Sequence, residues 1–535
     1  MKPLIVDALA SGRGRRRATR DAIGAGPRAV AGVLEGRGLR PRIAVAGDVL
    51  GGRVELGGFD LLLVSGMTAD LTAVRRVISR WRRTSPGPVV VGGPVASDPH
   101  DALVRARGDL AVIGEGERTL DELLDLGLDR DRPPGCEDLA GVLGVAYIDG
   151  GLRVNPLRPA MRRDAYDRLT PSTRTIRNYP LHRAARVYVE ALRGCSNYMR
   201  AEAALPEGAC AGCGRCRSGS LEERYDCPLG IPPGCGYCSV PSLYGPPKSR
   251  SVGKIRDEVR ALLDEGVRRV VLSAPDLLDY GRDLLVEPEP LTDPRHPEPN
   301  YAALEELLSG LTGIDEFSEG EASLMIENIK GVLVTDRAAG LLGEYLPGTP
   351  VSIGFETGSK EHCRRLGRPS TPEENLRAVR RLRRAGLRPY VYFIHGLPGQ
   401  TAETVEVTVR AIDGSVGAGA ERIILYRFQP LPMSAFSDQP AAPPAVRNRL
   451  SRRIYDAALE ANRGRKDELV GRRLRVVVAE PYDRDRRLHV AYPMLHGPVV
   501  LVEGAEGLSG EVVEVVVTGV VSDRMVQGRP VDGIF

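Results

Sequence analysis

The chain has 535 residues, more than the roughly 100–200 of a typical domain, so we expect three domains, or two domains and a small module. Hydrophobic residues make up 42% and charged residues 27%, which excludes a mainly disordered chain. The net charge of +4 is too small to indicate nucleic-acid binding by itself. No apolar run reaches the roughly 18–20 residues of a membrane span, and the start lacks a signal-peptide pattern. We therefore expect a cytoplasmic protein with no membrane partner.

Residues 1–126 alternate short β-branched runs with amphipathic stretches, and apolar runs at 61–64, 89–91 and 110–113 each lead into glycines. Such runs separated by helices are typical of a parallel sheet covered on both faces, so we expect an α/β, doubly wound, Rossmann-like domain. Ligands of these sheets lie at the carboxyl ends of the strands. Tight turns of any doubly wound domain also use glycines, and spacing alone favours that interpretation. The candidate binding residues at these ends are Gly92, Gly93, Gly114, Glu115 and Gly116.

A connector rich in Pro, Arg and Asp follows at 127–185, and its residues 142–154 predict a hairpin. Over 186–440 strands and helices alternate at the longer repeat expected for a partial β/α, TIM-like barrel. The acidic, proline-rich stretch 283–300 predicts a surface insertion. The apolar runs predict strands at residues 269–272, 331–334, 351–354 and 390–394. The stretch 372–385 predicts a helix.

The last part of the chain changes character. Residues 441–468 contain a predicted linking helix at 445–463. Residues 469–535 consist of short strand-like runs, such as 475–478 and 511–517, with turn residues between them. About 65 residues of this kind predict a small β-barrel.

Seven of the nine cysteines lie between Cys195 and Cys238. Stable disulfides are rare in the cytosol, so this concentration indicates metal binding or catalysis. The thiolates of Cys195, Cys235 and Cys238 can hold three irons of a [4Fe–4S] cluster and leave the fourth iron open to a ligand. Tyr237, just before the last cysteine, suits an adenine beside such a cluster. Cys227 is the alternative first ligand.

This pattern resembles the motif of the radical S-adenosylmethionine (SAM) superfamily, whose cysteines are separated by three and then two residues. The chain keeps the second spacing, whereas an insert at 196–234 lengthens the first. Cys195 is chosen because Arg-Gly-Cys after a strand is how family members enter this loop. Segments 273–282, 354–368 and 394–401 resemble further elements of the superfamily, in the same order. The resemblance implies that these segments contact the cofactor through Asp276, Glu356, Arg368, Gly396, Pro398 and Gly399.

Within the insert, four more cysteines form a second group: Cys210, Cys213, Cys216 and Cys227. Three cysteines at successive two-residue gaps, followed by Cys-Pro, are typical of ferredoxin-like clusters. Four thiolates also make a closed zinc site. We therefore expect a second [4Fe–4S] cluster, with zinc as the alternative. Cys136 and Cys363 are interpreted as ordinary cysteines.

With the barrel identified, residues 91–94 and 113–120 resemble the cobalamin-binding domain that precedes many radical SAM barrels. The usual Asp-x-His-x-x-Gly loop is absent, so the resemblance implies a cobalt without a protein histidine below it. A degenerate domain that holds no corrinoid is the alternative. The N-terminal domain of methylthiotransferases carries three cluster cysteines, whereas this region has only Cys136.

The C-terminal section resembles TRAM, the RNA-binding barrel at the end of methylthiotransferases, in segments 470–474, 508–511 and 517–519. Tyr482 or Tyr492 could stack on a base. A solvated, arginine-rich barrel face is the alternative. The basic residues available to phosphates are Arg472, Arg473, Arg484, Arg486 and Arg487.

Taken together, the resemblances imply a radical SAM enzyme that modifies RNA, with tRNA as the expected partner and a separate electron donor. The implied reaction is cobalamin-dependent methylation of an unactivated carbon, in which a deoxyadenosyl radical abstracts hydrogen and cobalamin supplies the methyl group. Methylthiolation or sulfur insertion into tRNA is the first alternative. A non-catalytic iron–sulfur RNA-binding protein and an enzyme acting on a lipid or peptide are the others.

Overall fold

The computed structural model describes residues 1–16, 19–129, 134–206, 208–210, 212–522 and 524–531. The chain divides into two compact units, one comprising Met1–Val189 and Asp257–Val267, the other Glu190–Arg256 and Arg268–Phe535. The helix Val252–Asp264 therefore contains a boundary between them. In the part of the chain that is described, no helix is long and apolar enough to cross a membrane.

A seven-stranded sheet with helices forms the first unit. Its first five strands are parallel and its last two are antiparallel. The strand order in space is Arg42–Val45, Pro3–Asp7, Leu61–Ser65, Val89–Gly92, Leu110–Val112, Val145–Ile148 and Leu152–Val154. The helices are Gly26–Gly36, Ala46–Leu50, Leu71–Trp81, Gly116–Asp125, Cys136–Leu139 and Arg163–Asp167. The predicted doubly wound fold is confirmed.

The hairpin predicted at 142–154 is present, but it continues the sheet. Leu110 pairs with Tyr147 in antiparallel register, and Val112 pairs with Val145. Val145, Ala146 and Tyr147 are buried. The sheet therefore extends beyond the predicted boundary at residue 126, because an antiparallel hairpin can cover an otherwise open sheet edge.

Parallel strands alternate with helices in the second unit. The strands are Arg269–Ser273, Ser323–Ile326, Asn328–Ile329, Pro350–Glu356, Arg388–His395 and Arg422–Arg427. The helices are Leu221–Tyr225, Val240–Tyr244, Tyr301–Thr312, Asp315–Ser318, Asp336–Tyr345, Lys360–Arg365, Pro372–Arg384, Ala402–Gly417 and Arg449–Asn462.

Helix Pro372–Arg384 shows why the sequence forms these elements. Thr371 caps its start by accepting a hydrogen bond from the backbone N–H of Glu374, whose side chain bonds back to Thr371. Proline occupies the first turn, and three arginines in the last turn complement the helix dipole. The predicted helix is confirmed.

The prediction of a strand at residues 331–334 was wrong. Gly331–Leu333 form a 3-10 turn, and the strand lies earlier, at Ser323–Ile326 and Asn328–Ile329. A Cβ atom on Gly331 would lie 2.1 Å from Oδ1 of Asn375, so this apolar run packs closely against the helix Pro372–Arg384. A short buried run has the same periodicity in a strand and in a turn.

The proline-rich stretch 283–300, predicted to be a surface insertion, lies at the surface only in part: residues 284–289 are mostly exposed, whereas residues 291–294 are buried. Thr292 is fully buried and donates a hydrogen bond to the carbonyl of Leu221, with an oxygen–oxygen distance of 2.5 Å. Asp293 pairs with Arg224 at 2.7 Å. Both contacts join the stretch to the cysteine-rich insert, which it supports.

The C-terminal section forms a closed β-barrel, as predicted. Its strands are Arg473–Tyr482, Asp485–Pro493, Val499–Glu503, Val512–Ser522 and Met525–Pro530. Buried valines at alternate positions, such as Val476 and Val478, fill its interior. The barrel contacts two of the parallel strands near their amino-terminal ends. Ser323 Oγ donates to the carbonyl of Met494 at 2.7 Å, and the Tyr390 hydroxyl lies 3.2 Å from Nδ1 of His496.

Candidate active site

Two glycines shape the loop that carries the cysteines of the predicted motif. Gly194 has a φ of +90°, and a Cβ atom there would lie 2.2 Å from the carbonyl oxygen of Pro246. A Cβ atom on Gly236 would lie 2.3 Å from the ring of Phe436. Side chains are therefore excluded at both positions. The close packing fixes the backbone just before Cys195 and just after Cys235.

Hydrogen-bond donors point at two of these cysteines. The backbone N–H of Asn197 lies 3.4 Å from Sγ of Cys195, and its side-chain amide lies 3.3 Å from Sγ of Cys235. Burial raises the pKa of the Cys195 thiol to about 11 and that of Cys238 to about 12. Neutral thiols are therefore favoured unless a cation converts them to thiolates. Iron–sulfur clusters are held by thiolates whose sulfurs accept such bonds, so the residues fit a cluster.

No three Cys, His, Asp or Glu side chains among the described residues are grouped as they would be around one metal ion. A [4Fe–4S] cluster distributes its cysteines over separate irons, whereas a zinc ion draws its ligands to one point. The two kinds of site therefore need different thiol arrangements.

Glu356, Arg368 and Tyr237 are brought together beside Cys235, as predicted for parts of one cofactor site. The strand Pro350–Glu356 shifts register at its end, and Glu356 adopts a φ of +65°, a strained backbone for a residue with a side chain. Its carboxylate lies 3.7 Å from Arg368, which donates a hydrogen bond of 3.0 Å to the hydroxyl of Tyr237. A Cβ atom on Gly354 would lie 2.3 Å from Oε1 of Glu356, so this carboxylate needs a glycine below it.

The charges of this group follow from burial and pairing. Burial raises the pKa of the Glu356 carboxyl group, and Arg368 opposes that shift. Burial disfavours the charged form of Arg368, but Tyr237, Cys235 and Glu356 raise its pKa, so it remains a cation. A guanidinium and a carboxylate in one buried pocket can bind the carboxylate, ammonium and hydroxyl groups of an amino-acid nucleoside.

Asp276 was predicted to contact the cofactor, but the structure gives it a supporting position. It is fully buried, and Oδ1 accepts hydrogen bonds from the backbone N–H groups of Leu278 and Lys330, both at 3.1 Å. Oδ2 lies 2.9 Å from Nζ of Lys330. Burial raises the pKa of Asp276, while Lys330 opposes the shift. The carboxylate is thus used within the protein.

Lys330 and Asp279 were missed by the sequence analysis. Nζ of Lys330 lies 2.5 Å from Asp279 and 2.9 Å from Ser196 Oγ, beside Cys195. Although burial opposes the charged form, Asp276 and Asp279 raise the pKa of Lys330. Lysine is rare in this chain, with six in 535 residues, but a buried lysine cannot be distinguished from an exposed one by spacing.

The turn that contains Gly396, Pro398 and Gly399 lies against the same region. The carbonyl of Pro398 lies 2.8 Å from Nε2 of His362, and the backbone N–H of Gly396 donates to Gln400 at 2.7 Å. Leu397 packs in an apolar cluster that also contacts Tyr237. The turn is therefore joined to the predicted cofactor site through packing, and Gln400 takes the place of the glutamate usual in this element.

In the first unit, small residues line the carboxyl edge of the sheet. A Cβ atom on Gly92 would meet nothing within 4 Å, and Gly93 and Gly114 have φ values of +76° and +78°. The space beside Gly92 is open, so a ligand can approach the backbone at this edge. Glu115 is different: its carboxylate is buried and accepts a hydrogen bond of 2.6 Å from the backbone N–H of Met161. Gly116, whose Cβ atom would lie 3.0 Å from Val112, begins the next helix.

Two cysteines of the insert lie near a buried arginine. Cys216 and Cys227 both interact electrostatically with Arg200. Arg200 donates to the carbonyl of Tyr225 at 3.0 Å, and the Tyr225 ring stacks on Tyr198 at 5.4 Å. Cys210 interacts electrostatically with the other three insert cysteines. Cys227 is therefore grouped with the insert, and Cys195 with the loop described above.

The C-terminal barrel exposes all five predicted arginines: Arg472, Arg473, Arg484, Arg486 and Arg487. Arg487 pairs with Asp485 at 2.8 Å, and Arg473 lies 3.6 Å from Glu514. Tyr482 is half-buried. Tyr492 is 6% exposed and lies under Arg269, 5.7 Å from its ring centre, so the prediction that it could stack on a base was wrong.

Comparisons with known proteins agree with this architecture. The profile of the radical SAM superfamily matches residues 225–412, and that of the B12 binding domain matches residues 21–124. An uncharacterized protein of Methanopyrus kandleri is 46% identical over 99% of this chain and 96% of its own length. One of Methanocaldococcus jannaschii is 39% identical over 96% and 95%. A tRNA-2-methylthio-N(6)-dimethylallyladenosine synthase of Pelobacter propionicus is 32% identical, but over 34% of this chain and 37% of its own length.

Two solved structures share the fold. The radical SAM methyltransferase TsrM from Kitasatospora setae aligns with a TM-score of 0.56 at 16% identity, covering 82% of this chain and 75% of that chain. The cobalamin-dependent SAM radical enzyme OxsB aligns with a TM-score of 0.53 at 14% identity, covering 77% and 52%. The chain belongs to the radical SAM superfamily, in the branch that carries a B12-binding domain. Its cofactors are a [4Fe–4S] cluster, SAM and cobalamin.

Proposed function

We propose that the protein transfers a methyl group to an unactivated carbon of an RNA, with tRNA as the expected class. When bound, the cluster and SAM supply a carbon radical, and cobalamin supplies the methyl group. The observation that carries the RNA assignment is the closed C-terminal barrel, which packs on the β/α sheet and exposes five arginines. Small barrels that present exposed arginines and aromatic side chains are a common means of binding single-stranded and folded RNA.

Within this proposal, Cys195, Cys235 and Cys238 hold the cluster. Arg368 and Glu356 bind the methionine and ribose parts of SAM, and Tyr237 lies beside its adenine. The proposal rests on their contacts: Arg368 is 3.0 Å from the Tyr237 hydroxyl and 3.7 Å from Glu356. Lys330 and Asp279 support these residues indirectly: both bond to the hydroxyl of Ser196 and so hold the loop that carries Cys195 in place.

The position of the barrel restricts the size of the substrate. Ser323 and Tyr390, which contact the barrel, lie in the amino-terminal parts of their strands. The candidate site lies at the carboxyl ends. Tyr390 lies five residues, or about 17 Å, before the end of its strand at His395. An RNA that contacts both the barrel and the candidate site must extend over a distance of this order, which suits a folded RNA better than a single nucleotide.

Methylthiolation is the second candidate, and the four insert cysteines favour it because sulfur transfer requires a sulfur source. The partial match to a tRNA methylthio-adenosine synthase also supports it. In either reaction a low-potential electron donor is required. Cys210, Cys213, Cys216 and Cys227 would then hold a second cluster, with zinc as the alternative.

The test is mass spectrometry of nucleosides. Anaerobically reconstituted enzyme is incubated with methyl-deuterated SAM, a reductant and total tRNA from cells in which the gene is deleted. We expect one nucleoside to gain a single deuterated methyl group, and no gain with Cys238→Ala. Gain of sulfur together with methyl would establish the second candidate. Formation of 5′-deoxyadenosine with unchanged tRNA would refute the RNA assignment.

A further inference from the structure

Two tyrosines are stacked at the edge of the β/α sheet. The rings of Tyr392 and Tyr426 have centres 5.4 Å apart and planes inclined by 17°. Tyr426 is 53% exposed, an unusual state for a large ring at the end of a strand. The Tyr392 hydroxyl lies 3.0 Å from Oγ of Ser352 on the neighbouring strand, which holds that ring in place. One tyrosine is therefore fixed, and the second covers it.

Strand alternation shows which face carries the pair. Val391 and Phe393 are fully buried on one face of the strand Arg388–His395. Tyr392 and Ile394 must therefore lie on the opposite face, which is less buried. This second face is the one that carries Ser352 and its hydrogen bond to Tyr392.

The tyrosine pair adjoins the candidate cofactor site. Tyr392 is in register with Gly354, over which the Glu356 carboxylate lies. Tyr426 is in register with Ile394, which packs in the same apolar cluster as Tyr237. The strand of Tyr426 is thus separated from the strand of Glu356 by one strand, Arg388–His395.

An arginine follows the pair. Arg427 is exposed at the end of the same strand and pairs in register with His395. Neighbouring residues of a strand point to opposite faces, so Arg427 lies on the face of His395 and not beside the ring of Tyr426. An exposed aromatic ring is by itself a stacking platform for an unpaired nucleotide, because every base has a π-face.

We propose that Tyr426, supported by Tyr392, stacks on the RNA base that receives the methyl group. The inference rests on the proposed function and adds the place where the target base binds. The arginines of the C-terminal barrel hold the RNA at a distance, whereas Tyr426 presents one base to the reacting carbon of SAM. The base must leave its helical stack, so the target is an unpaired nucleotide.

The experiment compares the full-length variants Tyr426→Ala, Tyr426→Trp and Tyr455→Ala in steady-state methylation of total tRNA from the deletion strain. Tyr455 is the matched control because it is also an exposed tyrosine, 42% exposed on helix Arg449–Asn462. Removing a stacking ring should lower kcat/KM for RNA about 10- to 100-fold in Tyr426→Ala. Tyr426→Trp should retain most of the activity, and Tyr455→Ala should equal wild type.

The KM for SAM and the Kd for hydroxocobalamin are measured in parallel. A rise in either one with unchanged KM for RNA would overturn the inference, since the pair would then hold the adenine or the corrinoid. Equal activity of Tyr426→Ala and wild type on RNA would overturn it too and leave the proposed function intact. Absence of RNA methylation by wild type would instead remove the proposed function, and the inference with it.

Discussion

The guanidinium of Arg368 lies 3.5 Å from Sγ of Cys235. It is held there by the Tyr237 hydroxyl and by the carbonyl of Gly354, to which Asn375 also donates a hydrogen bond at 3.2 Å. A fixed cation next to a proposed cluster ligand stabilises the added electron, because reduction makes the cluster more negative. Arg368 therefore has two proposed tasks, binding SAM and setting the reduction potential.

Replacing Arg368 with glutamine should make the cluster harder to reduce. We expect the potential to fall on the order of 50–100 mV, or about 1–2 kcal/mol for one electron. An anaerobic redox titration followed by electron paramagnetic resonance, without SAM, measures this shift. Arg364→Gln is the control, because Arg364 pairs with Glu361 and Glu202 at the surface. Equal potentials in the two variants would contradict the proposed charge effect.

Cys235→Ala and Cys238→Ala should each abolish 5′-deoxyadenosine formation. The matched control is Cys363→Ala, because Cys363 is also a buried thiol whose pKa burial raises to about 12. The Cys363 thiol donates its hydrogen bonds to the backbone carbonyls of Phe355 and Thr357. Chromatography of the products after incubation with dithionite and SAM measures the activity. Turnover by either of the first two variants would remove these residues from the cluster.

The same assay decides the first ligand. Cys195→Ala should behave like Cys235→Ala, because Asn197 contacts both sulfurs. Cys227→Ala should still form 5′-deoxyadenosine, since its thiol faces Arg200 within the insert. The reverse result would show that Cys227 is the ligand and that the insert precedes the motif.

Sequence patterns predicted those parts of the fold that depend on periodicity. The parallel strands, the helix Pro372–Arg384 and the closed barrel all have long apolar or capped patterns that admit one interpretation. The errors arose where a short run has two solutions. The apolar residues after Lys330 form a turn, and Thr292 and Asp293 of the stretch 283–300 bond to the insert, because tertiary contacts decided between the alternatives.

The candidate site shows the same division. Cys235, Tyr237, Glu356 and Arg368 were predicted from motifs, and the structure brings them together. Lys330 was missed because its contacts with Asp276 and Asp279 link residues more than fifty positions apart. No local pattern encodes such pairs. Tyr492 shows the opposite error: an aromatic residue in the right segment is buried under Arg269.

Gly92→Leu should abolish cobalamin binding without unfolding the protein. Gly92 has ordinary backbone angles, and a Cβ atom there would meet nothing within 4 Å, so a leucine fits the free protein. The added side chain would project from the edge proposed to bind the corrinoid. Absorption titration with hydroxocobalamin should show no uptake. Gly57→Leu, also with open space around it, is the control and should bind normally. Normal binding by both variants would move the corrinoid away from this edge.

Acid should loosen the C-terminal barrel through His496. Burial, followed by Arg388 and Arg383, lowers the pKa of His496 to about 4. Between pH 7 and pH 5 the unfolded chain therefore takes up a proton that the folded barrel does not, which costs about 2 kcal/mol of stability at pH 5. Hydrogen exchange of the strand Asp485–Pro493 reports this local opening. The His496→Gln variant should lose about 2 kcal/mol less stability than wild type when the pH falls from 7 to 5. An equal loss in both proteins would show that other groups dominate.

The insert gives the last prediction, and its readout is the metal content. If Cys210, Cys213, Cys216 and Cys227 hold a second cluster, full reconstitution should give about eight irons per chain, as two clusters of four. The double variant Cys213→Ala/Cys216→Ala should then retain about four irons. Its activating cluster should survive, because Asn197 and Lys330, which contact the Cys195 loop, lie outside the four. 5′-Deoxyadenosine should still form, whereas methylation should fail if the second cluster conducts electrons or supplies sulfur.

A zinc site predicts a different result: about four irons and one zinc in wild type, and unchanged iron in the double variant. Loss of all iron in the double variant would show that the insert cysteines serve the activating cluster itself.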